Sequence, residues 1–147
     1  MKTVLIVYFS LSGNTGKMAE YIAEGIRFSG NKVVTRKTSE IKNAADLEGY
    51  DGYIFGSPTY HRDMAEPFKT FLFLAQKGGL EGKVGGAFGS STHSGEAPKL
   101  ICDTMEHVFA MKMTSLGPFD LREKVVATDE GLRSCQTYGR SLGKELG

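Results

Sequence analysis

The sequence predicts an α/β fold in which an open, doubly wound parallel sheet of five short strands forms the middle of three layers. Short apolar runs alternate along the chain with longer stretches whose apolar residues recur at helical spacing. This alternation implies parallel strands joined by right-handed helical crossovers, and five short strands fit an open sheet better than a barrel. Because 147 residues can bury one full core but not a second, we expect residues 1–147 to form a single domain.

The first half of the chain contains three predicted strands and one helix. Val4–Phe9 is continuously apolar, which is typical of a strand covered on both faces. The helix that follows is expected to end at Gly30. Lys32–Lys37 is polar at its ends, which favours an edge strand, and Tyr53–Gly56 is a third short apolar strand.

The second half of the chain continues the alternation. Glycines in the fourth strand indicate close approach of another backbone or of a ligand. Helical spacing in the next helix predicts that Leu100 and Val108 are buried beside Ile101. The predicted elements are a helix beginning at Glu66 and Pro67 and ending before Gly78, a strand at Lys83–Gly89, a helix opened by Pro98, a strand at Lys112–Leu116 and a last helix from Asp129.

Composition argues against several classes of function. The formal net charge is +1 and charges of both signs are interspersed, so there is no broad electrostatic case for nucleic acid binding. No apolar run reaches the length of a membrane span, and we expect a cytoplasmic protein without a membrane partner. Cys102 and Cys135 are far apart on separate predicted helices, which predicts buried thiols and neither a disulfide nor a metal site.

The segment Ser10–Thr15 joins the first strand to the first helix and is rich in hydroxyl groups. Hydroxyls and free backbone N–H groups at a helix N-terminus attract phosphate, and the helix dipole adds to this attraction. A Walker A loop is excluded because Leu11 and Met18 stand where that motif needs Gly and a hydroxyl residue. The alternative is a ligand-free turn capped by Ser12 or Asn14, and the sequence leaves both possibilities open.

Two further loops are predicted at the same edge of the sheet. Ser57–Asp63 follows the third strand and Ser90–Gly95 follows the fourth. Because the carboxyl ends of parallel strands meet at one edge, these loops converge where open sheets bind ligands. Tyr60 and His93 offer flat side chains that can stack on a planar ring.

These three segments resemble, in the same order, the cofactor loops of flavodoxin-like flavoproteins. Tyr8–Thr15 is similar to the phosphate loop of that family. Phe55–Tyr60 is similar to its second loop, where an aromatic residue commonly covers the flavin, and Phe88–Gly95 is similar to its third. The resemblance spans the whole chain and implies strand order 2-1-3-4-5 with FMN at the point where the order reverses, a rule that flavodoxin itself illustrates.

The resemblance also implies which residues contact FMN. They come from all three loops, and they include backbone groups as well as side chains. No catalytic residue and no metal ligand is implied. The expected cofactor-binding residues are Ser10, Ser12, Gly13, Asn14, Thr15, Ser57, Pro58, Thr59, Tyr60, His61, Arg62, Ser90, Ser91, Thr92, His93 and Gly95.

The chain departs from well-studied flavodoxins in two respects. Those proteins are strongly acidic, whereas this chain is close to neutral. Their second loop often has Gly after the aromatic residue, but here His61 follows Tyr60, and a non-glycine residue adds strain wherever φ must be positive. The next residue, Arg62, is expected to form an exposed ion pair with Asp63 or Glu66.

The resemblance implies one of two functions. The first is a low-potential electron carrier that serves redox proteins, such as ferredoxin-like proteins and flavoprotein reductases or oxidoreductases. The second is an enzyme, an NAD(P)H-dependent quinone or FMN reductase. The carrier is favoured because residues 117–124 are the only candidate insertion and no acid–base pair lies near the expected ring. A phosphoacceptor receiver domain is disfavoured, since Ser10 and Ser57 stand where it needs acidic residues.

Overall fold

The computed structural model describes residues 1–147 and contains a 6-stranded sheet, a separate 2-stranded hairpin and helices on both faces of the sheet. Two short 3₁₀ turns at Thr38–Glu40 and Ala44–Leu47 connect the second and third strands. The strands are β1 (Thr3–Tyr8), β2 (Lys32–Lys37), β3 (Gly52–Gly56), β4 (Thr59–Tyr60), β5 (Asp63–Met64), β6 (Val84–Ser91), β7 (Lys112–Met113) and β8 (Phe119–Arg122). The helices are α1 (Asn14–Phe28), α2 (Glu66–Ala75), α3 (Glu96–His107), α4 (Glu123–Val126) and α5 (Asp129–Glu145).

The strand order of the main sheet confirms the predicted doubly wound topology. The order is β2-β1-β3-β6-β7, with β8 also paired to β6, and all these pairs are parallel. Strand β1 lies between β2 and β3. The connection after β1 therefore leads to β2 on one side, whereas the connection after β3 leads towards β6 on the other side. The boundary between β1 and β3 is the switch point at which an open sheet forms a crevice for ligands.

The fifth strand differs from the sequence prediction. Lys112–Leu116 was expected to be continuous, but the edge of the sheet consists of β7 and β8, two short pieces that both pair with β6. Between them Ser115 N–H donates to Glu145 Oε1 (3.1 Å) and Gly117 has a φ of 76°, so the backbone turns away from the ladder. Residues 117–124 are therefore half of an edge strand and the start of α4, and not an insertion.

Two hydrophobic clusters lie on opposite faces of the sheet. One packs α2 and α3 against residues such as Leu5 and Phe55, while the other packs α1 and α5 against residues such as Ile6 and Ile54. Adjacent residues of β1 and β3 point to opposite faces, which explains why both strands are apolar throughout. Covering both faces leaves the carboxyl edge of the sheet for the loops.

Two residues predicted to be buried in or next to α3 are exposed. Leu100 is 38% exposed and Val108 is 54% exposed, although helical spacing placed both in the core. Helix α3 ends at His107, so Val108 lies beyond the periodic segment, while Ile101 and Met105 are buried as expected. Of the two cysteines, Cys135 is buried and Cys102 is partly exposed. None of the helices is long and apolar enough to cross a membrane.

Candidate functional site

The first loop places unpartnered backbone donors at the start of α1. Gly13 is the N-cap residue with a φ of 96°, and no side chain caps the helix at this position. Ser10 Oγ accepts from the N–H groups of Gly13 (3.2 Å) and Gly16 (3.1 Å), whereas the N–H groups of Asn14 and Thr15 have no acceptor in the protein. The capping alternative therefore fails for Ser12 and Asn14, which instead bond to each other (Asn14 Nδ2 to Ser12 Oγ, 3.2 Å).

The second loop forms a hairpin that the sequence did not predict. Strands β4 and β5 pair antiparallel through a two-residue turn made of His61 and Arg62. Their φ values are 50° and 63°, so both residues occupy the left-handed region that turns of this type require. Neither is the Gly or Asn that this conformation favours, so the hairpin carries local strain beside the site.

Several hydroxyl groups among the predicted cofactor-binding residues hold the loops together. The Thr15 and Ser90 hydroxyls are 2.8 Å apart in a buried hydrogen bond that ties α1 to β6. Ser57 Oγ accepts from Ala65 N–H (3.0 Å), and Thr59 Oγ1 accepts from Ala97 N–H (3.0 Å). These bonds fix the spacing of the three loops. Whether the residues that make them also contact the cofactor remains a prediction.

The third loop is shorter than predicted, because β6 extends into its first two residues. Ser90 and Ser91 belong to the strand and are buried, so the third loop proper consists of residues 92–95. A Cβ atom at Gly89 would overlap the Ser57 carbonyl oxygen. The predicted close approach of a second backbone is thus confirmed at Gly89, and it brings the second and third loops together.

The hairpin and the third loop enclose an open cleft of about 570 Å³. Tyr60 is partly buried, and desolvation, with a smaller contribution from Glu123, raises the pKa of its hydroxyl. The hydroxyl is therefore neutral at physiological pH. The residues that line the cleft are Thr59, Tyr60, His61, Arg62, Thr92, His93 and Ser94.

The ion pairs beside the cleft differ from those predicted. Lys69 pairs with Asp63 and also lies 3.7 Å from Glu66 Oε1. The hydrogen bond from Lys69 holds the pKa of the Asp63 carboxyl below its usual value. Both expected partners of Arg62 are therefore occupied, and its guanidinium forms no salt bridge. The pairing follows from α2, which places Lys69 one turn after Glu66 and next to β5.

One polar cluster at the base of the third loop was not predicted from the sequence. Ser91 Oγ donates to Asp120 Oδ2 (2.7 Å) and accepts from Arg122 Nη1 (2.9 Å). The sequence assigns no role to Asp120 and Arg122, because residues 117–124 are interpreted there as a candidate insertion. The alternation of apolar and polar residues in Phe119–Arg122 is the signal that identifies it as a strand beside β6.

The geometry fits a ligand with an anionic end and a planar end. Thr15 is only 1% exposed, so its unpartnered N–H is a buried donor at the positive end of a helix. A Cβ atom at Gly13 would meet no atom within 4 Å, which leaves open space beside this donor. The aromatic side chains of Tyr60 and His93 line the cleft, where a flat ring can lie against them.

Comparisons with known proteins agree with this geometry. The family model described as flavodoxin matches residues 6–134. The solved structure of a flavodoxin from the domain Archaea superimposes with a TM-score of 0.90 at 30% identity, covering 98% of both chains. A putative diflavin flavoprotein of Synechocystis is 33% identical over 97% of this chain. An NAD(P)H dehydrogenase (quinone) of Gluconacetobacter diazotrophicus is 34% identical over 68% of it.

The two curated relatives are longer than the region they share with this chain. The match covers 24% of the diflavin flavoprotein and 63% of the quinone dehydrogenase. Their names therefore describe larger proteins, and similarity to them establishes a shared domain and not a shared activity. The family model spans most of the chain, and the archaeal structure matches it from end to end. The chain therefore belongs to the flavodoxin family, whose members bind FMN.

Proposed function

We propose that this chain is an FMN-dependent electron carrier, in which residues 1–147 act as one cofactor-binding domain that passes electrons between larger redox proteins. Ferredoxin-like proteins and flavoprotein reductases or oxidoreductases are the proposed donors and acceptors. FMN supplies the redox chemistry when it is bound, and the protein supplies binding, orientation and electrostatics.

The three loops have separate roles in this proposal. The N–H groups of Asn14 and Thr15 bind the phosphate, with the dipole of α1 adding to the attraction. Tyr60 and His93 pack against the ring, and both lie in the cleft. The unpaired Arg62 guanidinium favours added negative charge there. The remaining predicted residues contribute backbone groups or hold the loops in register.

The openness of the cleft is the observation that carries the proposal. A reductase needs residues that hold a second substrate over the ring, while a carrier needs only an accessible cofactor edge. The cleft is lined only by the hairpin and residues 92–94, and the candidate insertion at 117–124 lies in the sheet and in α4. The chain itself thus provides no additional wall for a nicotinamide or a quinone.

An NAD(P)H-dependent quinone reductase is the second candidate function. It is supported by the relative named NAD(P)H dehydrogenase (quinone), which matches at 34% identity over 125 residues. The unpaired Arg62 also gives the cleft a cation that suits the phosphates of a pyridine nucleotide. In this alternative a second copy of the chain or another protein would complete the substrate pocket.

An anaerobic visible spectrum of the FMN-loaded protein separates the two functions. The spectrum is recorded before and after excess NADPH, then NADH, with no other protein present. A carrier keeps its oxidised flavin bands, and it loses them only when a flavoprotein reductase is added with the nucleotide. Prompt bleaching by either nucleotide alone overturns the carrier proposal in favour of the reductase. Dithionite, added last, shows that the bound flavin is reducible.

A further inference from the structure

The polar cluster at the base of the third loop connects both ends of that loop to one carboxylate. Ser91 immediately precedes residues 92–95 and donates its hydroxyl hydrogen to Asp120 Oδ2 (2.7 Å). At the other end, a Cβ atom at Gly95 would overlap the Asp120 carboxylate, so the loop backbone lies directly against it. The position of Asp120 in β8 therefore sets the span that the loop must close.

The carboxylate of Asp120 is not an optimised structural contact. Its Oδ1 atom is buried and has no hydrogen-bond partner, and Glu96 Oε1 at the start of α3 is likewise buried and unpartnered. Unpartnered buried polar atoms cost stability, so a residue that serves the fold alone gains nothing from this arrangement. Strain and unsatisfied groups of this kind are concentrated at functional sites.

The charged groups around Asp120 act on its carboxylate in opposite directions. Arg122 lies on the same strand and attracts the carboxylate, while Glu96 on α3 repels it. The nearby Ser94 hydroxyl and, to a smaller extent, the charges of Arg62 and Arg122 lower the pKa of Glu96. For Asp120 the largest effect is desolvation, which raises its pKa above the usual value.

The sign of that shift predicts how Asp120 affects stability. A carboxyl group whose pKa is higher in the folded state stabilises the fold below its unfolded pKa and loses that contribution as the pH rises through the folded value. Ionisation of Asp120 therefore reduces stability. An amide at this position is expected to leave the melting temperature of the apoprotein unchanged or higher.

We propose that Asp120 is a positioning residue that holds residues 92–95 in the conformation that binds FMN, through Ser91 at one end of the loop and Gly95 at the other. This inference rests on the FMN site of the proposed function. It holds equally for a carrier and for a reductase, because it concerns the shape of the ring-binding loop and not the source of electrons.

The test compares wild-type protein with Asp120→Asn, a substitution of nearly equal size that removes the charge from the hydrogen bond with Ser91. Backbone order parameters are measured by NMR relaxation on the apoprotein, and the dissociation constant for FMN is measured by fluorescence titration. We expect the order parameters at residues 92–95 to fall from about 0.85, the value of rigid backbone, to below about 0.6 without a change at Ser10–Thr15. We also expect the dissociation constant to rise at least about fivefold without a fall in apoprotein melting temperature.

Asp103→Asn is the matched control, because Asp103 is an exposed carboxylate that bonds to Lys99 on the outside of α3 (3.2 Å). Both the apoprotein measurement at residues 92–95 and the dissociation constant for FMN should be unchanged in this variant. Smaller effects in Asp120→Asn, or a fall in order parameters that spreads equally to Ser10–Thr15, overturn the proposal. Ser91→Ala breaks the same contact from the loop side and is measured identically if the first variant does not fold. If neither variant folds, the cluster is needed for folding itself, and this result also overturns the proposal.

Because the relaxation measurement uses apoprotein, its result is independent of the nucleotide experiment. Bleaching by NADPH would change the proposed function and leave the role of Asp120 intact. Unchanged order parameters at residues 92–95 would remove that role and leave the electron-carrier proposal intact.

Discussion

The charge of the cleft depends on which cation neutralises Asp63. Since Lys69 occupies that carboxylate and also approaches Glu66, the Arg62 guanidinium remains free at the tip of the hairpin. A free cation beside a flavin favours the reduced form because reduction adds negative charge. The local sequence alone favours the wrong pair, as Arg62 and Asp63 are adjacent in the chain.

Replacing Arg62 is therefore expected to make the bound flavin harder to reduce. In Arg62→Gln the midpoint potential should fall by roughly 10–45 mV, which corresponds to about 0.2–1 kcal/mol for one electron at an exposed site. The measurement is a potentiometric titration with reference dyes. Arg133→Gln on α5 removes an equal charge outside the lining of the cleft, and an equal shift in that variant would assign the effect to net charge instead.

The two thiols are expected to be unreactive at neutral pH. Burial raises the pKa of Cys102 to about 11 and that of Cys135 to about 12. Thiolates are the reactive form, so a thiol reagent at neutral pH should label neither cysteine in the folded protein and both after unfolding in denaturant. The fold favours the neutral thiols, and that contribution to stability is lost as the pH rises through these two values. Rapid labelling of native protein would contradict this assignment.

At the level of secondary structure, the β4–β5 hairpin is an element with backbone strain in its turn. Its turn places both His61 and Arg62 at positive φ, where non-glycine residues are strained. The pairs Thr59 with Met64 and Tyr60 with Asp63 hold the turn closed despite this cost. The antiparallel pairing thus imposes a conformation that the two residues do not prefer.

Asparagine tolerates this conformation better than histidine, so His61→Asn should stabilise the apoprotein by about 0.5–1 kcal/mol. Urea denaturation measures the change. His107→Asn is the control, because His107 is exposed in the last turn of α3 and has no strained backbone. A gain of the same size in both variants would show that removal of histidine, and not relief of the turn, is responsible.

For the molecule as a whole, near-neutral charge has consequences for its encounters with partners. The formal net charge is +1, and the cations near the carboxyl edge of the sheet are interspersed with carboxylates such as Glu66, Glu96 and Glu123. Long-range electrostatic attraction accelerates association only when the partners carry extended fields of opposite sign. The proposed carrier should therefore rely on short-range contacts with its partners.

The rate of electron transfer should accordingly depend little on salt. The second-order rate constant for reduction by a flavoprotein reductase is expected to change by less than about threefold between roughly 50 and 500 mM salt. Stopped-flow absorbance of the flavin provides this rate. A steep fall with ionic strength would instead indicate a concentrated charged surface that the net charge conceals.

Much of the fold follows from local patterns in the sequence. The apolar run Val4–Phe9, the edge-like Lys32–Lys37 and the helical spacing after Ser10 specify their elements, because each pattern has the period of the structure it forms. The alternation of these elements also predicted a doubly wound parallel sheet, while the strand order at the switch point was implied by the resemblance to flavodoxin-like flavoproteins. The short loops that follow three of the strands could therefore be assigned to one edge before any contact was known.

Other features were decided only by tertiary packing. Lys112–Leu116 was wrong as one strand because Glu145 of α5 binds Ser115 and the chain turns at Gly117, contacts that no local pattern records. The ion pairs of Lys69, the hairpin turn and the contact of Asp120 with both ends of residues 92–95 likewise depend on elements distant in the chain. The sequence by itself determined the long helices, the first three strands of the sheet and their alternation along the chain, since these follow from periodicity. The tertiary structure decided the charge of the cleft and the support of its loops, since hydrogen bonds and ion pairs form between groups that folding brings together.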